Sequence, residues 1–231
     1  MPGYKPPAQF SGDQIRKNTL NLQQNWFYVG VFDTAPLDAK KAGGGFHAFH
    51  SDMNDDAYWT QFMADMEQLM EEFKDLAILY KPKRDFLKPN SRFQKPSFLN
   101  LLLERQKENP RWVIMDSEIN PWIPVMASDL VVGMPFSSTC FAALNKHRAF
   151  LFHDSQNKLR HTFYEDLHSY VSHSTEELIQ KVKDIRKGTL NYESLRDTAY
   201  YVPLATDRRF AQNFTEFLRN VAPKKANLMR N

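Results

Sequence analysis

Short runs of β-branched and aromatic residues alternate along this chain with longer stretches whose apolar positions recur at helical spacing. Residues 27–32, Phe-Tyr-Val-Gly-Val-Phe, predict a strand closed by Asp33-Thr34-Ala35-Pro36, where the chain must turn. A polar connection containing Gly43-Gly44-Gly45 follows. Phe62, Met63, Met66, Leu69, Met70 and Phe73 then share one face of a helix expected over 58–73. Residues 76–80 give the next strand, and a strand, helix, strand succession of this length favours parallel pairing. Further strands are expected at 112–115, 129–133 and 148–152, with a minor one at 169–172. Further helices are expected over 98–108, 121–127, 174–186 and 207–221, the third opened by a capping box of Ser174 and Glu177. This alternation predicts an α/β fold, a Rossmann-like, doubly wound and mostly parallel sheet spanning 25–221. Residues 1–24, polar and proline-bearing, read as an N-terminal arm or linker, and 222–231 as a basic tail.

Within that frame residues 127–154, ASDLVVGMPFSSTCFAALNKHRAFLFHD, contain a complete strand, loop, helix and strand. Leu130, Val131 and Val132 form the apolar run of a buried parallel strand, and Gly133 and Pro135 break it. Ser137, Ser138 and Thr139 then stand where a helix over 140–144 begins. Hydroxyls and unpaired N–H groups at that point suit a phosphate, and ligands in open α/β sheets sit beyond the carboxyl ends of strands. The same residues also serve as ordinary helix caps, and the sequence leaves both readings open.

Composition narrows the classes. Net charge over 231 residues is only +3, which suits an anionic small molecule and gives no footprint of a nucleic-acid binder. The single cysteine, Cys140, has no partner for a disulfide or a CxxC zinc site, which points to a reducing, cytoplasmic setting. No stretch approaches the length of a membrane-spanning helix, so any membrane contact is expected to be peripheral, at the inner face.

Lys81, Lys83 and Arg84 follow the 76–80 strand directly, and three cations there read either as a phosphate clamp or as a solvated basic turn. Glu118, after the 112–115 strand, reads as an acceptor for ribose hydroxyls or as a carboxylate favoured by a helix start. His47 and His50, near Asp52, Asp55 and Asp56, offer metal-ligand or general-base chemistry, though polar loops collect such residues by default. His153-Asp154 ends a strand and is a better-placed pair, with a turn role expected for Asp154. No metal site and no cofactor are expected. GxGxxG, GxxxxGK[ST] and GxSxG are all absent, which disfavours classical NAD enzymes, P-loop NTPases and acyl transfer from Ser137 or Ser138.

Taken in order, YKPKR (80–84), IMDSEIN (114–120), SDLVVGMPFSST (128–139), AFLFHD (149–154) and DTAYYVPLATDRRFAQNFTEFL (197–218) resemble a known pattern. It is similar to the C-terminal, nucleotide-sugar-binding half of GT-B-type glycosyltransferases that build bacterial capsule, lipopolysaccharide and related surface polysaccharides. The resemblance implies phosphate contacts from Ser137, Ser138 and Thr139, basic support from Lys81, Lys83 and Arg84, and Glu118 near the nucleoside. It implies a nucleotide-sugar donor, with a CMP-activated acidic sugar suggested by the hydroxyl pair, and a glycan or glycolipid acceptor. The helix after the hydroxyl loop, CFAALNKH, lacks the glutamate that many UDP- and GDP-sugar enzymes use for ribose. The catalytic base stays unassigned: such enzymes take it from an N-terminal half, which leaves open a fragment, a subunit acting with an N-terminal half-domain or partner chain, a donor-binding domain with lost activity, or a full protein using a base from its 33–56 loop. A non-catalytic nucleotide-binding or scaffold domain of a polysaccharide-assembly complex is the principal alternative, and a nucleotide-sugar epimerase a third reading.

Overall fold

The computed structural model describes residues 11–22, 25–34, 56–83, 99–135, 137–144, 148–158 and 169–190. All of these lie in the first of two compact units, Met1–Leu190. The expected helix at 207–221 and the tail at 222–231 lie outside the described residues, as do Gly43–Gly45, His47, His50, Asp52, Asp55 and Arg84.

Six strands form one sheet: β1 (Phe27–Phe32), β2 (Leu76–Lys81), β3 (Trp112–Ile114), β4 (Leu130–Gly133), β5 (Ala149–His153) and β6 (Val171–Ser172). Their order is β3-β2-β1-β4-β5-β6 and every pairing is parallel. Tyr28 sits beside Ala77, and Val29 sits beside both Ile78 and Leu130, so β1 is the central seam. Nearly every residue of β1, β2, β4 and β5 is buried, which is why these strands read as continuous apolar runs without alternation.

The helices are α1 (Gly12–Asn18), α2 (Asp56–Glu72), α3 (Leu99–Glu108), α4 (Trp122–Ala127), α5 (Ser138–Leu144) and α6 (Thr175–Arg186). Helix α2 packs on α6, while α1 packs on α4 and α4 on α5, the two-layer arrangement expected of a doubly wound sheet. Alternation along β1 serves both layers. Tyr28 joins Ala77, Leu79, Met115 and Ala127 in one cluster with Ile15 of α1 packed against it. Asp33, an odd-numbered position like Val29 and Val31, meets Trp59 of α2. A side chain at Gly30 would come within 2.4 Å of Ser128 Oγ, so glycine is what lets the end of α4 approach β1.

Helix α1 falls inside the segment read as an arm. Ser11 and Gln14 close a full capping box, and Arg16, 6 % exposed, locks the helix to the domain. Its Nε donates to Ala127 O at 2.6 Å and its Nη2 to Asp129 Oδ1 at 2.6 Å, with the guanidinium over the Tyr28 ring. Asp129 in turn accepts the Tyr28 N–H at 2.8 Å. A buried cation thus has a carboxylate, a carbonyl and an aromatic face, the set needed to offset its desolvation. Helix α6 starts at Ser174, as the sequence indicates, but Glu177 bonds the His173 N–H instead of completing the box on Ser174.

Candidate functional site at the carboxyl edge

The strand order reverses between β1 and β4, since the chain builds outward to β3 on one side and to β6 on the other. In open α/β sheets the carboxyl edge beside such a reversal is the usual ligand position. The two strand ends are tied together: Met134 N–H donates to Phe32 O at 2.9 Å, and the Thr34 N–H lies 3.4 Å from Met134 Sδ. The hydroxyl loop hangs from this junction. Ser137 closes a turn by donating its N–H to Met134 O at 3.1 Å, and is buried. Ser138 opens α5 and is exposed, and Thr139 is half-buried. Gly133 makes the turn feasible, because a side chain there would come within 2.5 Å of Cys140 Sγ. Cys140 itself donates its thiol to Leu151 O, and burial pushes its pKa far up, so it is a packing residue without nucleophilic character.

On the other flank of β1, Asp33 organises the end of β2. Its Oδ2 accepts from Trp59 Nε1 at 3.0 Å and from the Tyr80 hydroxyl at 2.7 Å. Its Oδ1 accepts the Lys83 N–H at 2.6 Å. Burial pushes the Asp33 carboxyl above its usual range, against the pull of those hydrogen bonds and of the Lys83 charge. Burial and the neighbouring Asp33 together push the Tyr80 phenol well above its ordinary value. Sequence reasoning assigned Asp33 only to a turn; its position directly beyond the first strand, beside the order reversal, was the available signal.

The remaining expected site residues are distributed along this edge. Lys83 is exposed and anchored by its backbone beside Asp33. Lys81 is buried, and its ammonium donates to Ser117 O at 2.8 Å and Pro82 O at 3.1 Å, which ties β2 to the turn after β3. Glu118 is exposed in that turn, with its N–H on Asp116 Oδ1 at 2.8 Å. Lys83 and the hydroxyl loop thus flank β1 on opposite sides, about 10 Å apart by strand spacing, whereas Glu118 lies about 14 Å from β4. Among the described residues no group of three potential metal ligands is present.

His153 and Asp154 do not act as a pair. His153 is fully buried, with Nε2 2.7 Å from Asp65 Oδ2 and Nδ1 2.9 Å from Ser172 Oγ. Asp65 also accepts from Thr175 Oγ1 and from Gln61. Serine, histidine and carboxylate stand in the order of a hydrolytic relay, but all three are sealed from solvent, so the chain fastens α2 to β5, β6 and α6. Asp154 instead accepts the Tyr58 hydroxyl at 2.8 Å, and His173 Nδ1 lies 3.4 Å from its other oxygen. His173 is the half-exposed imidazole of the pair that the structure does form, and no local pattern in the sequence signals that it reaches Asp154.

An all-parallel sheet of this order, covered by helices, defines a Rossmann-like α/β domain. The chain belongs to the polysaccharide biosynthesis PFTS motif family, whose model matches residues 12–182. Comparison with curated proteins finds no match. Among solved structures, the wall teichoic acid polymerase TagF is similar at 18 % identity and a TM-score of 0.52, over 95 % of this chain and 48 % of that one. The Anabaena protein HepE, solved with UDP and glucose, is similar at 14 % identity and a TM-score of 0.52, over 89 % of this chain and 53 % of its own. The fold is that of a Rossmann-like GT-B half, and the chain spans about half the length of these structures. Among the described residues no helix is long and apolar enough to cross a membrane.

Proposed function

We propose that this chain is the donor-binding half of a nucleotide-sugar-dependent glycosyltransferase acting in bacterial surface polysaccharide assembly. The observation that carries the reading is the position of the hydroxyl loop of Ser137, Ser138 and Thr139: it follows β4 at the order reversal, beside the end of β1. In this reading Ser137, Ser138 and Thr139 receive the donor phosphate, with Lys83 on the β2 side; Arg84, proposed with it, lies outside the described residues. Lys81 adds positive potential from beneath, and Glu118 lies toward the nucleoside. Fixed donors and cations at that point oppose the charge that grows on a departing nucleotide phosphate, a large term in such chemistry. The hydroxyl pair favours a CMP-activated acidic sugar as donor. The acceptor is a glycan or glycolipid, and the catalytic base comes from a further half-domain or partner chain, a reading supported by solved neighbours twice as long.

The test is thermal unfolding with CMP, CDP, UDP, GDP and their sugars. At a hundredfold excess over Kd a ligand of the folded state adds about 2.7 kcal/mol, which for a domain of this size raises the melting temperature by roughly 5–10 °C. Ser137→Ala with Ser138→Ala should weaken nucleotide binding by about 1–3 kcal/mol, with a smaller change in the ligand-free melting temperature. Absence of stabilisation by every nucleotide at millimolar concentration sinks the reading. Unchanged affinity with only a lower melting temperature would reduce the hydroxyls to helix caps.

A further inference from the structure

At the carboxyl edge, His173 and Asp154 form a pair that the hydroxyl loop does not account for. Asp154 directly follows β5 and His173 directly follows β6, so the parallel pairing of these strands brings both to the edge that carries Ser137 and Lys83. Asp154 is 0 % exposed. Its Oδ1 accepts the Tyr58 hydroxyl at 2.8 Å, and its Oδ2 faces His173 Nδ1 at 3.4 Å. That side of the imidazole is sealed, yet the side chain is 38 % exposed. Among the described residues no hydrogen bond reaches Nε2, and this nitrogen keeps accessible surface. The ring is thus set against a carboxylate at one nitrogen and open at the other, unlike His153, whose two nitrogens are both engaged inside the core.

A carboxylate placed behind one imidazole nitrogen orients the ring for work at the other. At 3.4 Å the Nδ1 contact is looser than a good hydrogen bond, as such contacts often are before a ligand draws them tight. The backbone fixes the residue as well, since the His173 N–H donates to Glu177 Oε2 at 2.8 Å and Ser174 caps α6 directly after it. Charge then selects the ligand. A carboxylate removed from water calls for a cation against it, and a protonated imidazole supplies one at Nδ1 while presenting Nε2–H outward. Lys158 brings a second cation, its ammonium 5.2 Å from the centre of the Tyr58 ring whose hydroxyl holds Asp154. The Glu177 carboxylate is balanced by Lys181 at 3.3 Å. An outward N–H on a cationic ring, with a lysine nearby, suits an anionic oxygen. Strand β6 lies two strands from β4, about 10 Å along the edge and on the side away from Lys83, so one elongated ligand lying on the hydroxyl loop reaches it.

We propose that His173, positioned by Asp154, donates from Nε2 to an anionic oxygen of the ligand held at the carboxyl edge, a phosphate or a sugar carboxylate. The proposal rests on the reading of this edge as the donor site and adds a further residue to it.

The experiment follows the imidazole Cε1–H signals of the full-length, ¹³C-labelled protein, which has seven histidines, with His173 assigned through His173→Gln. UDP-glucose, UDP-glucuronate, CMP-N-acetylneuraminate and inorganic sulfate are titrated, and the melting temperature is recorded with each. A saturating shift of the His173 signal by at least one of them is expected. UDP-glucose and UDP-glucuronate differ only at the sugar carboxylate, so a response to both assigns a phosphate and a response to UDP-glucuronate alone assigns the carboxylate. The charge of these nucleotide sugars is constant from pH 6 to pH 8, and their affinity should fall across that interval as an imidazole loses its proton. His173→Gln should bind roughly tenfold more weakly at pH 6, with that fall removed. Asp154→Asn, which keeps an acceptor for Tyr58, should move the fall to lower pH, a change that lost packing would not produce. Stabilisation by a nucleotide sugar with the His173 signal unmoved, or with an unchanged pH profile in His173→Gln, overturns the proposal and leaves the donor-site reading standing. A His173 shift with sulfate but no stabilisation by any nucleotide sugar upholds the anion contact and sinks the donor-site reading. Silence from every probe overturns both.

Discussion

Asp33 shows how one side chain can set the shape of a ligand edge without facing the ligand. Three donors from different elements converge on its carboxylate: Trp59 from α2, the Tyr80 hydroxyl from the end of β2, and the Lys83 N–H beyond it. The group is 2 % exposed, so none of these donors has water as a replacement. Asp33→Ala should therefore cost about 2–4 kcal/mol of folding stability, measured by denaturant midpoint, because it orphans an indole and a phenol at once. The pH sign follows from the direction of the shift. A carboxyl raised above its unfolded value holds its proton more tightly when folded, so its contribution is largest at acid pH and declines as pH rises through the folded value. The cost of Asp33→Ala should accordingly be no smaller at pH 5 than at pH 7. A cost below about 0.5 kcal/mol would show that the convergence is incidental.

Helix α2 connects the two ends of the sheet order, since it crosses from β1 to β2 yet carries Asp65, which holds His153 of β5 and Thr175 of α6. Asp65→Ala should cost about 2–4 kcal/mol, chiefly by leaving His153 Nε2 unpaired in a dry interior, since the half-buried Thr175 hydroxyl has water as a replacement. Asp65→Leu combined with His153→Phe should cost less than the two single changes summed, because both polar partners then leave together. Strict additivity in that double-mutant cycle would mean the bond contributes nothing. This clamp also marks where legibility ended. The β strands were readable because both faces are buried and the runs stay apolar, and α2 was readable because its core face repeats at helical spacing. Helix α1 was missed although Ser11 and Gln14 spell a capping box, because prolines and polar residues on either side masked a helix of only seven residues. The hydroxyl loop was legible because a strand and its turn are contiguous in sequence. The Asp65–His153 and Asp154–His173 contacts were not, because each joins residues brought together only by the packing of separate elements. In the second case the adjacent histidine, His153, is not the partner of Asp154: successive side chains at the end of β5 reach different partners.

At the level of the whole sheet, the two three-strand halves are joined by the β1–β4 seam and by α6, which returns from the last strand to pack on α2. The far end of that return is held by charge: Arg186 grips Asp75 at the start of β2 with both guanidinium nitrogens, and Lys183 pairs with Glu72 at 2.7 Å. Arg186 also stacks over Phe27 and Phe73, so its position is fixed by packing as well as by charge. The Arg186 hydrogen bond, reinforced by its charge, holds the Asp75 carboxyl below its usual range. A depressed carboxylate contributes stability that is present above its unfolded value, near 3.8, and is lost as pH falls through the lower folded value. Asp75 is more than half exposed, so solvent screening limits the contribution to no more than about 1 kcal/mol. Asp75→Asn should therefore lower the melting temperature by a small, constant amount at pH 6 to 8, and the gap should close as pH falls below the usual carboxylate range. Added salt should narrow the gap at neutral pH, since an exposed pair is screened within a Debye length. A gap that persists undiminished in acid would assign the loss to the packing of Arg186 against Phe27 and Phe73 instead of to its charge.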